Sequence, residues 1–197
     1  MCTSTLVPAS VHRSATIPDP MRRVNVVGTS AAGKSTFARA LAERLGFPCV
    51  ELDALYWGPN WTKAPDTLMR ERVRGAIAGD AWVVDGNYSA VRDLVWERAD
   101  TVAWLDFPLR TILWRYATRT RHRVRTREEI WPGTDNRERL SMHILQRDGL
   151  LWWILRTYHR RRRDYPRLLA EHPWIEAVRL RSPREAQRWL RDVGPQT

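Results

Sequence analysis

A strand-like run, "RVNVV" (Arg23 to Val27), leads into "GTSAAGKST" (Gly28 to Thr36), and a helix-like run, "FARALAERLG" (Phe37 to Gly46), follows. Val24, Val26 and Val27 give the pattern of a buried strand. Phe37, Leu41 and Leu45 repeat at helical spacing, with Gly46 as the stop. Between them the spacing G-x-x-x-x-G-K-S sets small residues where successive backbone N–H groups must turn inward around an anion. Gly28, Ser30, Ala31, Ala32, Gly33, Lys34, Ser35 and Thr36 are therefore read as a phosphate cradle, a P-loop. Lys34 reaches the outer phosphates, and the Ser35 hydroxyl is a ligand for Mg²⁺. A strand entering and a helix leaving are the context this motif needs, and both are present.

The chain has 197 residues, 43% of them apolar and 28% charged, which suits one globular domain with a full core. The longest apolar run, Leu150 to Leu155, is too short for a membrane span. Cys2 and Cys49 cannot make a disulfide framework, so a reduced cytoplasmic protein is expected. Residues 1–20 contain three prolines and no helical or strand period, and read as a disordered tail before a domain spanning 21–197. The net charge of +11 raises nucleic acid as an alternative partner. The basic set of 33 residues is almost all arginine, however, which looks compositional. Lysine occurs only at Lys34 and Lys63, and a P-loop needs a flexible point charge at Lys34.

Strands are expected at "PCVELD" (Pro48 to Asp53), "AWVVD" (Ala81 to Asp85), "TVAWLD" (Thr101 to Asp106) and "WIEAVRL" (Trp174 to Leu180). Helices are expected at Asp66 to Asp80, Ser89 to Ala99, from Pro108 onward, from about Glu138 to Glu171, and at Ser182 to Val193. The stretch Ala54 to Pro65 reads as a loop with three large aromatics, and Arg121 to Arg139 as a polar segment broken at Trp131-Pro132-Gly133. Strands alternating with helices imply a parallel α/β sheet.

Ligands of such sheets sit at the carboxyl ends of the strands. Asp53, Asp85 and Asp106 all end predicted strands there. A P-loop enzyme needs one acid near Mg²⁺, on the strand beside the P-loop strand. Residue spacing does not decide between Asp85 and Asp106. Arg115, Arg119 and Arg123 share one helix face, and Arg156, Arg160, Arg163 and Arg167 share another. Guanidiniums bind phosphate oxygens as two-pronged forks. The guanine-reading N-K-x-D motif and an LSGGQ-like segment are both lacking, against a GTPase and an ABC ATPase.

The order of "GTSAAGKST", "ELDALYWGPNW", "VVDGNYS", "ADTVAWLDFPLR", "WRYATR" and "YHRRRR" resembles the adenylate-kinase-like P-loop kinases, and most closely the FlaR-like proteins labelled DNA topology modulation protein. The resemblance implies a P-loop fold with a five-stranded parallel sheet of order 2-3-1-4-5 and helices on both faces. It implies ATP and Mg²⁺ as cofactors, and it favours Asp85 over Asp106 beside Mg²⁺. Arg115 and Arg119 would then hold ATP beneath a helical lid at about 121–139, and at least one of Arg156, Arg160 and Arg163, with Arg160 the choice, would face the transferred group. The acceptor segment would be about 53–79, with Asp53, Tyr56, Trp57, Trp61 and Arg92 lining its site. At the place of the family's acceptor-gripping arginine stands Ser89, so a neutral or cationic acceptor is expected rather than a nucleotide. The expected activity is transfer of the ATP γ-phosphoryl group to a small molecule that the sequence does not name, in an oligomeric state it does not set. The alternatives are a nucleotide-gated nucleic-acid regulator and an ATPase with no dedicated acceptor.

Overall fold

The protein is described from a computed structural model, which covers residues 21–127, 129–131, 133–137 and 149–194. The expected tail at 1–20 lies outside the described residues, as do parts of the expected lid and the start of the long helix expected from Glu138. Met21, the first described residue, is fully buried in the core.

Five parallel strands build the central sheet: β1 (Arg23–Gly28), β2 (Cys49–Glu51), β5 (Trp82–Asp85), β6 (Thr101–Leu105) and β7 (Glu176–Leu180). Their spatial order is β2-β5-β1-β6-β7, which is the expected 2-3-1-4-5 when only these strands are numbered. Alternation along the strands sorts side chains into two cores. Val24, Val26, Val83, Ala103 and Leu105 face one; Val27, Val84, Val102 and Trp104 face the other. The first core is covered by α1 (Lys34–Leu45) and by α7 (Pro183–Asp192), through Phe37, Leu41 and Trp189. The second is covered by α3 (Asp66–Ala76) and α4 (Arg92–Trp96), through Met69, Val73 and Trp96. Helix α6 (Leu150–Ala170) serves both: Ile154 and Tyr158 enter the first core, Tyr165 and Leu169 the second.

Local sequence accounts for most boundaries. Gly46 ends α1 in the left-handed conformation at φ 70°. Ser182 caps α7, accepting from the Glu185 amide at 3.2 Å, with Pro183 in the first turn. Two expectations need correction. The aromatic loop after β2 contains a short helix α2 (Leu52–Tyr56) and a tight hairpin, β3 (Trp57–Gly58) with β4 (Thr62–Lys63). The helix expected over Ser89 to Ala99 is only the single turn and a half of α4. Helix α5 runs from Leu109 to Thr126, so Arg121 to Arg125, at the start of the expected helical lid, are helical. Pro166 sits inside α6 without ending it.

Candidate active site

The loop from Gly28 to Gly33 leaves β1 and ends as the N-cap of α1. Gly28 has φ 152°, and a Cβ there would stand 2.8 Å from the Leu105 carbonyl oxygen. Gly33 has φ 90°, and a Cβ there would stand 2.7 Å from Arg115 Nη1. Both glycines are thus demanded by φ and by close approach together. Ala31 also adopts a left-handed conformation at φ 66°, a local strain of roughly 1–3 kcal/mol that curls the loop. No side chain caps α1, and its first turn holds no acidic residue. The open N–H groups and the positive end of the helix dipole are left for an anion.

Around this cradle the strand ends supply acids of two kinds. β5 pairs with β1, so Asp85 lies on the strand next to the P-loop. Its carboxylate is 4% exposed, and Oδ1 has no hydrogen-bond partner. Burial pushes its pKa up, against the pull of Lys34 and of a hydrogen bond from Ser35. Burial likewise pushes Lys34 down, against Asp85 and Asp53, and the positive charges of Arg161 and Arg119 add to the effect. For each group the loss of water outweighs the opposite charge that its neighbours supply. An oxygen without a partner beside a serine hydroxyl fits Mg²⁺, which takes few protein ligands and fills its shell with water and phosphate oxygens. No cluster of three or more metal-binding side chains occurs among the described residues.

Asp106, on the other flank of β1, is saturated. Arg162 Nε lies 2.9 Å from Oδ1, and Arg179 Nη2 lies 2.6 Å from Oδ2.

Helix α5 brings Arg115 onto the loop, where Nη1 donates to the Ala32 carbonyl at 2.6 Å and the guanidinium stacks on Phe107 at 5.3 Å. Arg119, one turn on, is half-buried on the same face. Arg156, Arg160, Arg163 and Arg167 instead form the exposed face of α6. The guanidinium from α6 that reaches the site is Arg161, which the stepping of exposed arginines concealed. A signal was present: Ile154, Tyr158, Tyr165 and Leu169 form the buried stripe of α6, and Arg161 falls within that stripe.

The segment expected to take the acceptor is aromatic. Tyr56 packs on Trp57 at 4.9 Å and on Tyr88 at 4.8 Å, and Trp57 packs on Trp61 at 5.6 Å. Tyr88 donates to Asp53 Oδ1 at 2.6 Å, and Asp53 remains exposed on the rim. Arg92, at the start of α4, lies over Trp96 at 5.7 Å. Sequence reading missed the tie between the hairpin and the segment beyond α5. Asn136, fully buried, accepts from the Trp61 amide at 2.7 Å and donates to the Gly58 carbonyl at 3.0 Å. Asn60 N donates to Thr134 O at 3.1 Å, and Trp131 packs on Trp61 at 6.0 Å. Asn25 was also missed: it is buried in β1, donates to Val84 and Gly86 carbonyls, and accepts from Trp96 Nε1 at 2.9 Å. It locks β1, the turn after Asp85 and α4 into one register.

No family model and no curated protein matches the chain. Solved structures do align with it. A shikimate kinase from Acinetobacter baumannii, in complex with shikimate, is 17% identical over 88% of this chain and 90% of that one, with TM-score 0.52. A shikimate kinase from Bacteroides thetaiotaomicron is 15% identical over 86% and 94%, with TM-score 0.51. A third, from Aquifex aeolicus, is 14% identical over 86% and 92%, with TM-score 0.50. The chain has the P-loop kinase fold. At these identities the likeness is one of fold, and the chemistry has to be argued from the site. Among the described residues no helix is long and apolar enough to cross a membrane.

Proposed function

We propose that the protein is an ATP-dependent phosphotransferase acting on a hydroxyl of a small molecule. The observation that carries this reading is the rim itself: an uncapped P-loop helix, Lys34, the unpartnered oxygen of Asp85, and the exposed Asp53 carboxylate lie together at the strand ends. The loop N–H groups and Lys34 hold the ATP phosphates. Mg²⁺, held by Ser35 and Asp85, would neutralise phosphate charge when bound. Arg115 braces the loop from behind through Ala32, and Arg119 extends the same positive face towards Lys34. Phosphoryl transfer depends on positioning and charge neutralisation, and these groups provide both. Asp53, held by Tyr88, accepts the proton of the attacking hydroxyl. Tyr56, Trp57 and Trp61 line the acceptor site, and the Asn136 tie closes its far side against water.

The motif order that resembles the FlaR-like proteins belongs to this reading and adds no acceptor to it. A cytoplasmic location, where ATP is supplied, goes with the same proposal. The exposed arginines of α6 act as a solvated face. The test is ADP release from ATP and Mg²⁺ against a panel of hydroxylated metabolites. At least one should stimulate release, and Lys34→Ala should lower it on the order of 10³-fold in a folded protein. Failure of every compound, with Lys34→Ala unchanged in ATP affinity, would overturn the proposal. DNA affinity falling steeply with salt would then support the nucleic-acid alternative.

A further inference from the structure

Helix α6 sends two consecutive arginines to opposite sides. Arg162 meets Asp106. Among the described residues Arg161 meets no acid. The Asn87 amide, with its oxygen turned towards the donors, accepts from Arg161 Nε at 3.1 Å, from Arg161 Nη2 at 3.2 Å and from Tyr165 Oη at 2.8 Å. That uses one edge of the guanidinium fork. The remaining nitrogen, Nη1, is buried and has no partner. The described residues that act on Arg161 electrostatically are Tyr165, Arg160 and Arg92, with no carboxylate among them. Its plane lies 5.9 Å from the Trp153 ring.

Arg92 is the second member. It lines a small cleft, open to solvent, with Gly86, Asn87 and Tyr88. Its Nε is also buried without a partner. The two guanidiniums lie in each other's field, partly stripped of water, and each keeps a buried nitrogen without a partner among the described residues. At Asp106, by contrast, a carboxylate answers Arg162 and Arg179. Arg161 is also close enough to lower the Lys34 pKa, so it stands beside the point of transfer, and Arg92 shares its cleft with Asn87 and with Tyr88, the partner of Asp53.

The geometry points to an oxyanion subsite formed by Arg92, Arg161 and Asn87, which fixes a carboxylate or phosphate group of the acceptor. The acceptor is then a hydroxylated oxyanion, with its hydroxyl at Asp53 and its anionic group at the two arginines. This replaces the neutral or cationic acceptor expected from the aromatic loop, whose rings cover the apolar body of the molecule. Fork geometry gives specificity that a lysine does not reproduce. The inference rests on the kinase reading.

The test is carried out on the full chain saturated with AMP-PNP and Mg²⁺, so that the P-loop is already filled. Inorganic phosphate and malonate are titrated separately by calorimetry. At least one should bind at a second site. Arg161→Gln and Arg92→Gln should each weaken it tenfold or more, Arg161→Lys should restore it only in part, and Arg74→Gln, on the exposed face of α3, should leave it unchanged. The tighter probe tells carboxylate from phosphate. The same titration in Lys34→Ala without nucleotide reads the subsite apart from the P-loop. Loss of AMP-PNP binding in the wild type would therefore overturn the kinase reading alone. Absence of a second anion site, or anion affinity indifferent to both arginines, overturns the subsite. So does a result in which Arg161→Gln and Arg92→Gln weaken only AMP-PNP.

Discussion

Asp85 and Asp106 end the two strands that flank β1, both are 4% exposed, and the protein surrounds them in opposite ways. On the β6 side, Arg162 and Arg179 bind Asp106 through both carboxylate oxygens, and Arg179 also stacks on Trp104 at 4.4 Å. That rim is electrically finished. On the β5 side, Asp85 keeps an oxygen without a partner, and Lys34 is depressed by burial. On that side Arg92 Nε and Arg161 Nη1 are buried without a partner among the described residues. Asp85 and Lys34 answer each other in part, and burial still outweighs that attraction at both. A structural acid is paired by its own chain; a functional acid is left for a ligand to complete.

The largest effect that would break this comparison is on stability at the finished rim. Asp106→Asn leaves two arginines beside a buried amide. Because Arg162 is 42% exposed and keeps contact with water, the expected loss is roughly 3 kcal/mol, near the low end for breaking a buried pair. Thermal unfolding should fall by roughly 6–12 °C. An unchanged melting temperature would show that the pairing is ornamental.

Asn136→Ala probes the acceptor side. It removes the two side-chain hydrogen bonds of the tie between the β3–β4 hairpin and the segment at 133–137, and leaves the Asn60–Thr134 backbone bond. Leaving Trp61 N and Gly58 O without partners should raise the acceptor KM roughly tenfold, about one buried hydrogen bond, with the KM for ATP unchanged. A change confined to ATP would assign the tie to the nucleotide side.

The smallest effect is the pH dependence at Asp85. Its folded pKa is raised above the unfolded value, so the folded state binds more protons between the two. Stability from this group is therefore present below the unfolded carboxylate value and is lost as pH rises through the folded one. The melting temperature of Asp85→Asn relative to wild type should rise across that window, by a few degrees at most. A difference that falls with pH would mean that Lys34 outweighs burial at this carboxylate.

The finished and unfinished rims differed in how well the sequence disclosed them. The P-loop was fully legible, because backbone conformation dictates glycine at Gly28 and Gly33, and the reach to phosphate dictates lysine. The five strands were legible from runs of Val, Ala and Trp, and their order came from the resemblance, not from periodicity. The choice of Asp85 needed strand adjacency, which no local pattern encodes. The partners of Asp106 lie 56 and 73 residues away in sequence, beyond any motif. Arg161 was hidden by a composition so rich in arginine that several spacings fit, and only the buried stripe of α6 distinguishes it. The hairpin at Trp57 to Lys63 depends on Asn136, a contact across 75 residues, so its local sequence reads as a loop.

The central claim is that Asp85, and not Asp106, completes the site for Mg²⁺ and ATP. Calorimetric titration of ATP with and without Mg²⁺, in wild type, Asp85→Asn and Asp106→Asn below their melting temperatures, measures it without knowledge of the acceptor. Mg²⁺ should tighten ATP binding tenfold or more in wild type and in Asp106→Asn, and leave it nearly unchanged in Asp85→Asn. Full Mg²⁺ enhancement in Asp85→Asn, or its loss in Asp106→Asn alone, would contradict the account.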